Sequence, residues 1–67
     1  MILENVLGRI RGKRCELRYS QRAVAERLGI SLTAYAQKEN GKREFTISEV
    51  FQLCTIFKCN LSDIFLE

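Results

Sequence analysis

Between Leu28 and Leu32 the chain has three residues, Gly29-Ile30-Ser31, in which to end one helix and start another. Upstream, Ser20 is a good N-cap for a helix over Gln21–Leu28, in which Val24 and Leu28 stand four apart on one face. Downstream, Ser31 caps again, and a third helix is predicted from about Leu32 to Asn40, stopped by Asn40-Gly41. So short a joint forces a sharp turn between the two helices. Gly29 supplies the positive φ that other residues adopt only at a cost. Ala25 lets the backbones approach where the helices cross, and Val24, Leu28, Ile30 and Tyr35 are expected to fill the angle between them.

The flanking sequence is also helical. Leu3, Val6, Leu7, Ile10 and Leu17 recur at helical rather than alternating spacing, which predicts a first helix over 3–18. Position 14 of that stripe holds Arg14, a charge that demands a partner if it points inward. Thr46-Ile47-Ser48-Glu49 matches a capping box and opens a fourth helix. That helix carries Ile47, Val50, Phe51, Leu53, Cys54, Ile56 and Phe57, an apolar surface wide enough to be buried on more than one side. Asn60 is expected to cap a short fifth helix from Leu61 to about Leu66. With no competing strand pattern, the fold class is all-α, five helices in one domain spanning 1–67. A single core at this length is marginal and favours tight helix packing or an oligomer.

Charge is distributed unevenly. The 67 residues carry a net charge of +3, but residues 9–43 hold ten basic and three acidic side chains, a local +7. Residues 44–67 hold one basic and four acidic, a local −3. One cationic face looking at an anion, most often nucleic acid, is one reading; a solvated helical surface is the other. No segment approaches the roughly 20 apolar residues of a membrane span. Histidine is absent and the three cysteines form no CxxC pair, so metal-ligand spacing and Ser-His-Asp or Cys-His catalysis are missing. With a single Asp and no phosphate-cradling glycine loop, no catalytic constellation can be assembled, and neither a cofactor nor a small-molecule ligand is expected. Leu3-Glu4-Asn5 does not open a secretory signal. Cys15, Cys54 and Cys59 therefore read as reduced, mostly buried small hydrophobes of a cytoplasmic protein, with a Cys54–Cys59 pair the minor alternative.

Leu7-Gly8-Arg9-Ile10-Arg11, Arg14, Ser20-Gln21, Ala25 to Ser31, Tyr35, Glu39-Asn40-Gly41-Lys42 and Asn60 to Ile64 together resemble the phage-repressor and Cro-type helix-turn-helix family, often called the XRE family. The likeness covers nearly the whole chain, with five helices in the family order. It implies a DNA-binding domain whose third helix enters the major groove, and a structural ion pair between Arg14 and Glu39. One departure stands out: Lys38 occupies a position that is usually apolar in the family. Its stem is expected to cover core surface while its ammonium reaches solvent or a phosphate.

The outer face of the third helix then supplies the candidate base contacts, Ser31, Leu32, Thr33, Ala36 and Gln37. Gln37 is the residue able to make a bidentate contact to adenine in the major groove, and the set lacks an Arg for guanine, so a half-site rich in A·T pairs is expected. The competing readings are packing against helix two for Leu32 and plain exposure for Thr33. Gln21, Asn40, Lys42 and Arg43 are the candidate phosphate contacts, Gln21 because it starts a helix. One such domain reads few base pairs, so a homodimer on a palindrome is expected, with Phe51, Phe65 and Leu66 as candidate interface and core packing as the alternative. The chain ends at Glu67, so no separate oligomerisation or ligand domain is expected. The leading reading is a transcriptional regulator, most simply a repressor. A reading of another class is a protein-interaction module, antitoxin-like or partner-binding, which an exposed pair of Leu32 and Tyr35 would favour.

Overall fold

The computed structural model describes residues 4–65. Five α-helices follow one another: α1 Glu4–Glu16, α2 Gln21–Leu28, α3 Leu32–Glu39, α4 Ile47–Phe57 and α5 Leu61–Phe65. The first helix stops two residues short of expectation because Arg18 turns into the left-handed region (φ 60).

Four helix ends are closed in one way. At the ends of α1, α2, α3 and α4 the residue in the left-handed conformation is Arg18, Gly29, Gly41 and Lys58 respectively. In each case its N–H returns to the carbonyl three residues back, and the next N–H returns to the carbonyl five back, as in Ile30 to Ala25 at 3.0 Å and Lys42 to Gln37 at 2.8 Å. This is the Schellman closure, which satisfies carbonyls that the helix leaves orphaned. Gly41 has a second reason to lack a side chain, since a Cβ there would stand 3.2 Å from Leu7 Cδ1.

The opposite ends are capped by side chains. Ser20 Oγ accepts from Ala23 N and Ser31 Oγ from Ala34 N, both at 3.0 Å. Thr46 and Glu49 complete the capping box of α4, the Thr46 N–H donating to Glu49 Oε1 at 2.9 Å and the Glu49 N–H to Thr46 Oγ1 at 3.1 Å. At α5 the closing contact runs opposite to expectation: the Asn60 N–H donates to Asp63 Oδ2 at 2.8 Å.

The core draws on every helix. Val6, Leu7 and Ile10 of α1 meet Val24 and Ala25 of α2, Tyr35 of α3, Val50, Leu53 and Phe57 of α4 and Ile64 of α5, with Phe45 entering from the α3–α4 connection. Tyr35 and Phe45 meet edge to face, their centroids 6.0 Å apart, a geometry that suits the ring quadrupoles. Leu28 and Ile30 pack partly buried against this cluster. Two expectations are corrected. The wide apolar surface of α4 is covered on one side only, because Ile47 is 75% and Phe51 55% exposed. The cysteines are less buried than expected, Cys15 being exposed and Cys54 and Cys59 intermediate.

Candidate functional site

The turn between α2 and α3 decides where α3 can point. Gly29 at φ 77, ψ 27 ends α2, and Ser31 in extended conformation starts α3 two residues later. Tyr35, which lies on the inner side of α3, is fully buried. Of the candidate base contacts, Ser31 and Thr33 are exposed, and Leu32, Ala36 and Gln37 are half-buried. Leu32 is thus partly packed rather than fully presented. Ser31 Oγ is occupied as acceptor by its own cap, which leaves its hydroxyl proton as a donor.

What fixes α3 in place is a buried carboxylate. Glu39 closes the helix at 0% exposure, and both of its oxygens are saturated. Oε2 accepts from Arg14 Nε at 2.9 Å and from Tyr35 Oη at 2.5 Å. Oε1 accepts from the second terminal nitrogen of Arg14 at 3.1 Å and from Gln21 Nε2 at 2.9 Å. Arg14 therefore grips the carboxylate through two nitrogens, while its third donates to Tyr19 O at 3.0 Å. Arg11 adds a bond to the main-chain carbonyl of Glu39 at 2.8 Å. One residue thus ties the ends of α1, α2 and α3 together. Burial alone would raise the Glu39 pKa, but hydrogen bonds from Arg14, Tyr35 and Gln21 outweigh it and hold the carboxyl below its ordinary value. The Tyr35 phenol is pushed up, first by burial and then by its bond to the Glu39 carboxylate. The Arg14 guanidinium is raised chiefly by its bonds to Glu39.

Lys38 does not reach solvent or a phosphate. It is 8% exposed, and its ammonium lies 2.6 and 2.7 Å from the two carboxylate oxygens of Glu49. Burial would raise Glu49, but Lys38 and the Thr46 N–H outweigh that and keep it below the ordinary carboxylate range. The capping residue of α4 is therefore also the counter-charge for α3. Buried charges need such partners, and among the described residues no buried side-chain nitrogen or oxygen lacks a hydrogen bond.

The expected phosphate-contacting residues divide into two groups. Asn40, Lys42 and Arg43 are all exposed just beyond α3. Gln21, in contrast, directs one amide N–H inward to Glu39, and the Ala23 N–H is taken by the Ser20 cap, so an anion at the start of α2 has only the second Gln21 amide N–H and the backbone N–H groups of Gln21 and Arg22 to meet. The cationic stretch is also thinner than its sequence balance. Arg9 reaches Ile64 O at 3.0 Å and Arg27 stacks over Tyr19, 4.4 Å from the ring centroid, while Arg11, Arg14 and Lys38 have the internal roles above. Arg22, Lys42 and Arg43 remain on the exposed surface around α2 and α3.

Of the expected dimer-interface residues, Phe51 is 55% and Phe65 39% exposed, so core packing does not account for them; Leu66 lies outside the described residues. With Phe45, Ile47, Val50 and Leu61 they line an open, largely apolar groove. From the sequence, Ile47 reads as part of the wide apolar surface of the fourth helix and Leu61 as the start of the fifth, but neither is named among the interface candidates, since helical spacing alone does not tell a second apolar face from a core face. Tyr35 and Gln21 were not expected at Glu39 either, although Tyr35 stands four residues before it, the spacing at which helical side chains meet.

A family model described as helix-turn-helix matches residues 10–64. No curated protein and no solved structure matches the chain. Among the described residues, no helix is long and apolar enough to cross a membrane.

Proposed function

As a member of the phage-repressor type (XRE) helix-turn-helix family, the chain is a DNA-binding regulator, and we propose that it binds a palindromic operator as a homodimer and represses transcription by occlusion. The domain spans 1–67 and works in the cytoplasm, where its DNA lies, without a cofactor. The observation that carries this reading is the mounting of α3: a buried carboxylate and a fully buried Tyr35 hold its inner side, while Thr33 stays exposed and Ala36 and Gln37 are only half-buried. Ser31, Leu32, Thr33, Ala36 and Gln37 face the major groove, with Gln37 reading adenine. Asn40, Lys42 and Arg43 hold phosphates beyond α3, and the start of α2 at Gln21 holds one across the groove. The interaction-module reading loses its motivating feature, because Tyr35 is 0% exposed and forms no surface with Leu32.

Selection from randomised duplexes is expected to return inverted repeats whose half-sites are rich in A·T pairs; G-rich half-sites would contradict the assignment to Gln37. The Gln37→Ala variant is expected to relax discrimination at one position by about 1–3 kcal/mol, roughly 5- to 150-fold, with little change on non-specific DNA.

Dimerisation is assigned to the groove carrying Phe51 and Phe65, together with Leu66. Light scattering is expected to give twice the chain mass of 7.8 kDa. Phe51→Asp should yield monomers of unchanged helicity. A wild-type chain that stays monomeric at concentrations that saturate an operator would remove the dimer.

A further inference from the structure

The end of α4 has a feature that the DNA-binding reading does not use. The Schellman closure sets two residues face to face, the one at the third position from the helix end and the one two places past it, and their side chains commonly touch. At the four closed helix ends these pairs are Arg14 and Tyr19, Ala25 and Ile30, Gln37 and Lys42, and Cys54 and Cys59. The last pair consists of two thiols. The Cys59 N–H donates to Cys54 O at 3.0 Å, and the Lys58 N–H to Thr55 O at 3.2 Å. Lys58 between them holds φ 54, a conformation a side chain adopts at some cost. A disulfide needs α-carbons about 4.4–6.8 Å apart with the β-carbons turned toward each other; the closure folds the chain at Cys59 back onto Cys54, and the two thiols interact.

We propose that Cys54 and Cys59 are a reversible disulfide pair that locks the α4–α5 corner, so that the thiol redox state of the protein sets the stability of the domain. The corner matters because Leu61 begins α5 two residues after Cys59, and α5 brings Ile64 into the core. Both cysteines are intermediate in exposure, reachable by a small oxidant, whereas Cys15 lies exposed on α1. With a low-molecular-weight disulfide such as oxidised glutathione the chemistry balances in two exchanges. One cysteine thiolate attacks the glutathione disulfide and releases a glutathione thiolate. The second cysteine thiolate attacks the mixed disulfide and releases the other. Two protein thiols are oxidised and one glutathione disulfide is reduced to two thiols. Burial pushes the Cys59 thiol up and the adjacent Cys54 adds to the rise, so the reaction is expected to be slow near neutrality and faster as the pH rises.

The test is equilibration of the whole chain, carrying Cys15→Ser to block cross-linking between copies, in buffers of graded reduced-to-oxidised glutathione ratio. Trypsin cuts after Lys58, between the two cysteines, so a bridge joins two peptides that are otherwise separate. The expected result is a linked peptide pair two hydrogens lighter, and a thermal midpoint roughly 5–10 °C above the reduced form, as for a short closed loop in a small domain. Cys54→Ser and Cys59→Ser should each abolish both effects. Glutathione adducts as the sole oxidised products, or a bridged form that melts below the reduced one, would overturn the proposal. Both readouts are independent of DNA binding.

Discussion

Replacing Glu39 by alanine is expected to destabilise the domain by about 3–5 kcal/mol, against less than about 0.5 kcal/mol for Glu16→Ala on the exposed surface of α1. The difference lies in what is left behind. Glu16 is 3.9 Å from Lys13 with its side chain 74% exposed, and solvent replaces that interaction. Removing Glu39 strands two of the three Arg14 guanidinium nitrogens, the Tyr35 hydroxyl and one Gln21 amide proton together, each having lost its acceptor. In a domain of this size such a loss is a large part of the total stability. Denaturant melts of the two variants check it, and equal midpoints would remove the hub from the account.

The same group predicts how stability varies with pH. Glu39 and Glu49 both titrate below their ordinary value when folded. Their contribution is complete above the unfolded carboxylate pKa, about 4.3. It drains away as pH falls from there through the folded values. On the alkaline side the sign reverses. The Tyr35 phenol is raised when folded, so stability declines once pH passes the unfolded tyrosine value near 10. Tyr35→Phe should flatten the alkaline arm, and Glu39→Ala the acid arm.

The second large effect is an asymmetry within one ion pair. Glu49→Ala is expected to cost about 3 kcal/mol or more, because it leaves the 8%-exposed Lys38 without its counter-charge and also opens the capping box of α4. Lys38→Met keeps the packing of the stem and removes the charge, and Glu49 retains its Thr46 partner, so this change is expected to lie within about 1 kcal/mol of wild type in either direction. Thermal or urea melts of both variants give the comparison. Equal, large losses would mean that the pair itself supplies net stability; equal, small losses would mean that it is solvated.

Much of the fold was legible because local signals agreed with one another. Ser20, Ser31 and Thr46 sit at the expected caps, and Gly29 and Gly41 at the expected left-handed stops, so α2, α3 and the start of α4 fall where the sequence places them. Arg14 announced a buried charge by interrupting an apolar stripe, and the Glu39 carboxylate meets it. What escaped was long-range pairing. Glu49 reads as a capping residue and is one, and nothing in its local sequence reveals that its oxygens also receive an ammonium eleven positions back. Gln21 at a helix start reads as an anion contact, and its turn toward Glu39 depends on the packing of three helices. The apolar face of α4 was visible, but periodicity counts apolar positions without telling which of them the rest of a small chain is large enough to cover. The charge excess of residues 9–43 likewise counts cations without telling which face solvent, and six of them, Arg9, Arg11, Lys13, Arg14, Arg27 and Lys38, make contacts within the chain.

Fluorescence titration of a labelled duplex with the wild-type chain and Lys42→Ala, at salt concentrations from about 50 to 200 mM, bears most directly on α3 as a DNA-reading helix. The expected result is wild-type binding that weakens steeply and linearly in log–log form as salt rises, with the slope flattened by about one unit in Lys42→Ala on every sequence tried. Binding that is absent at low salt, or that ignores salt and survives the loss of Lys42, would contradict it.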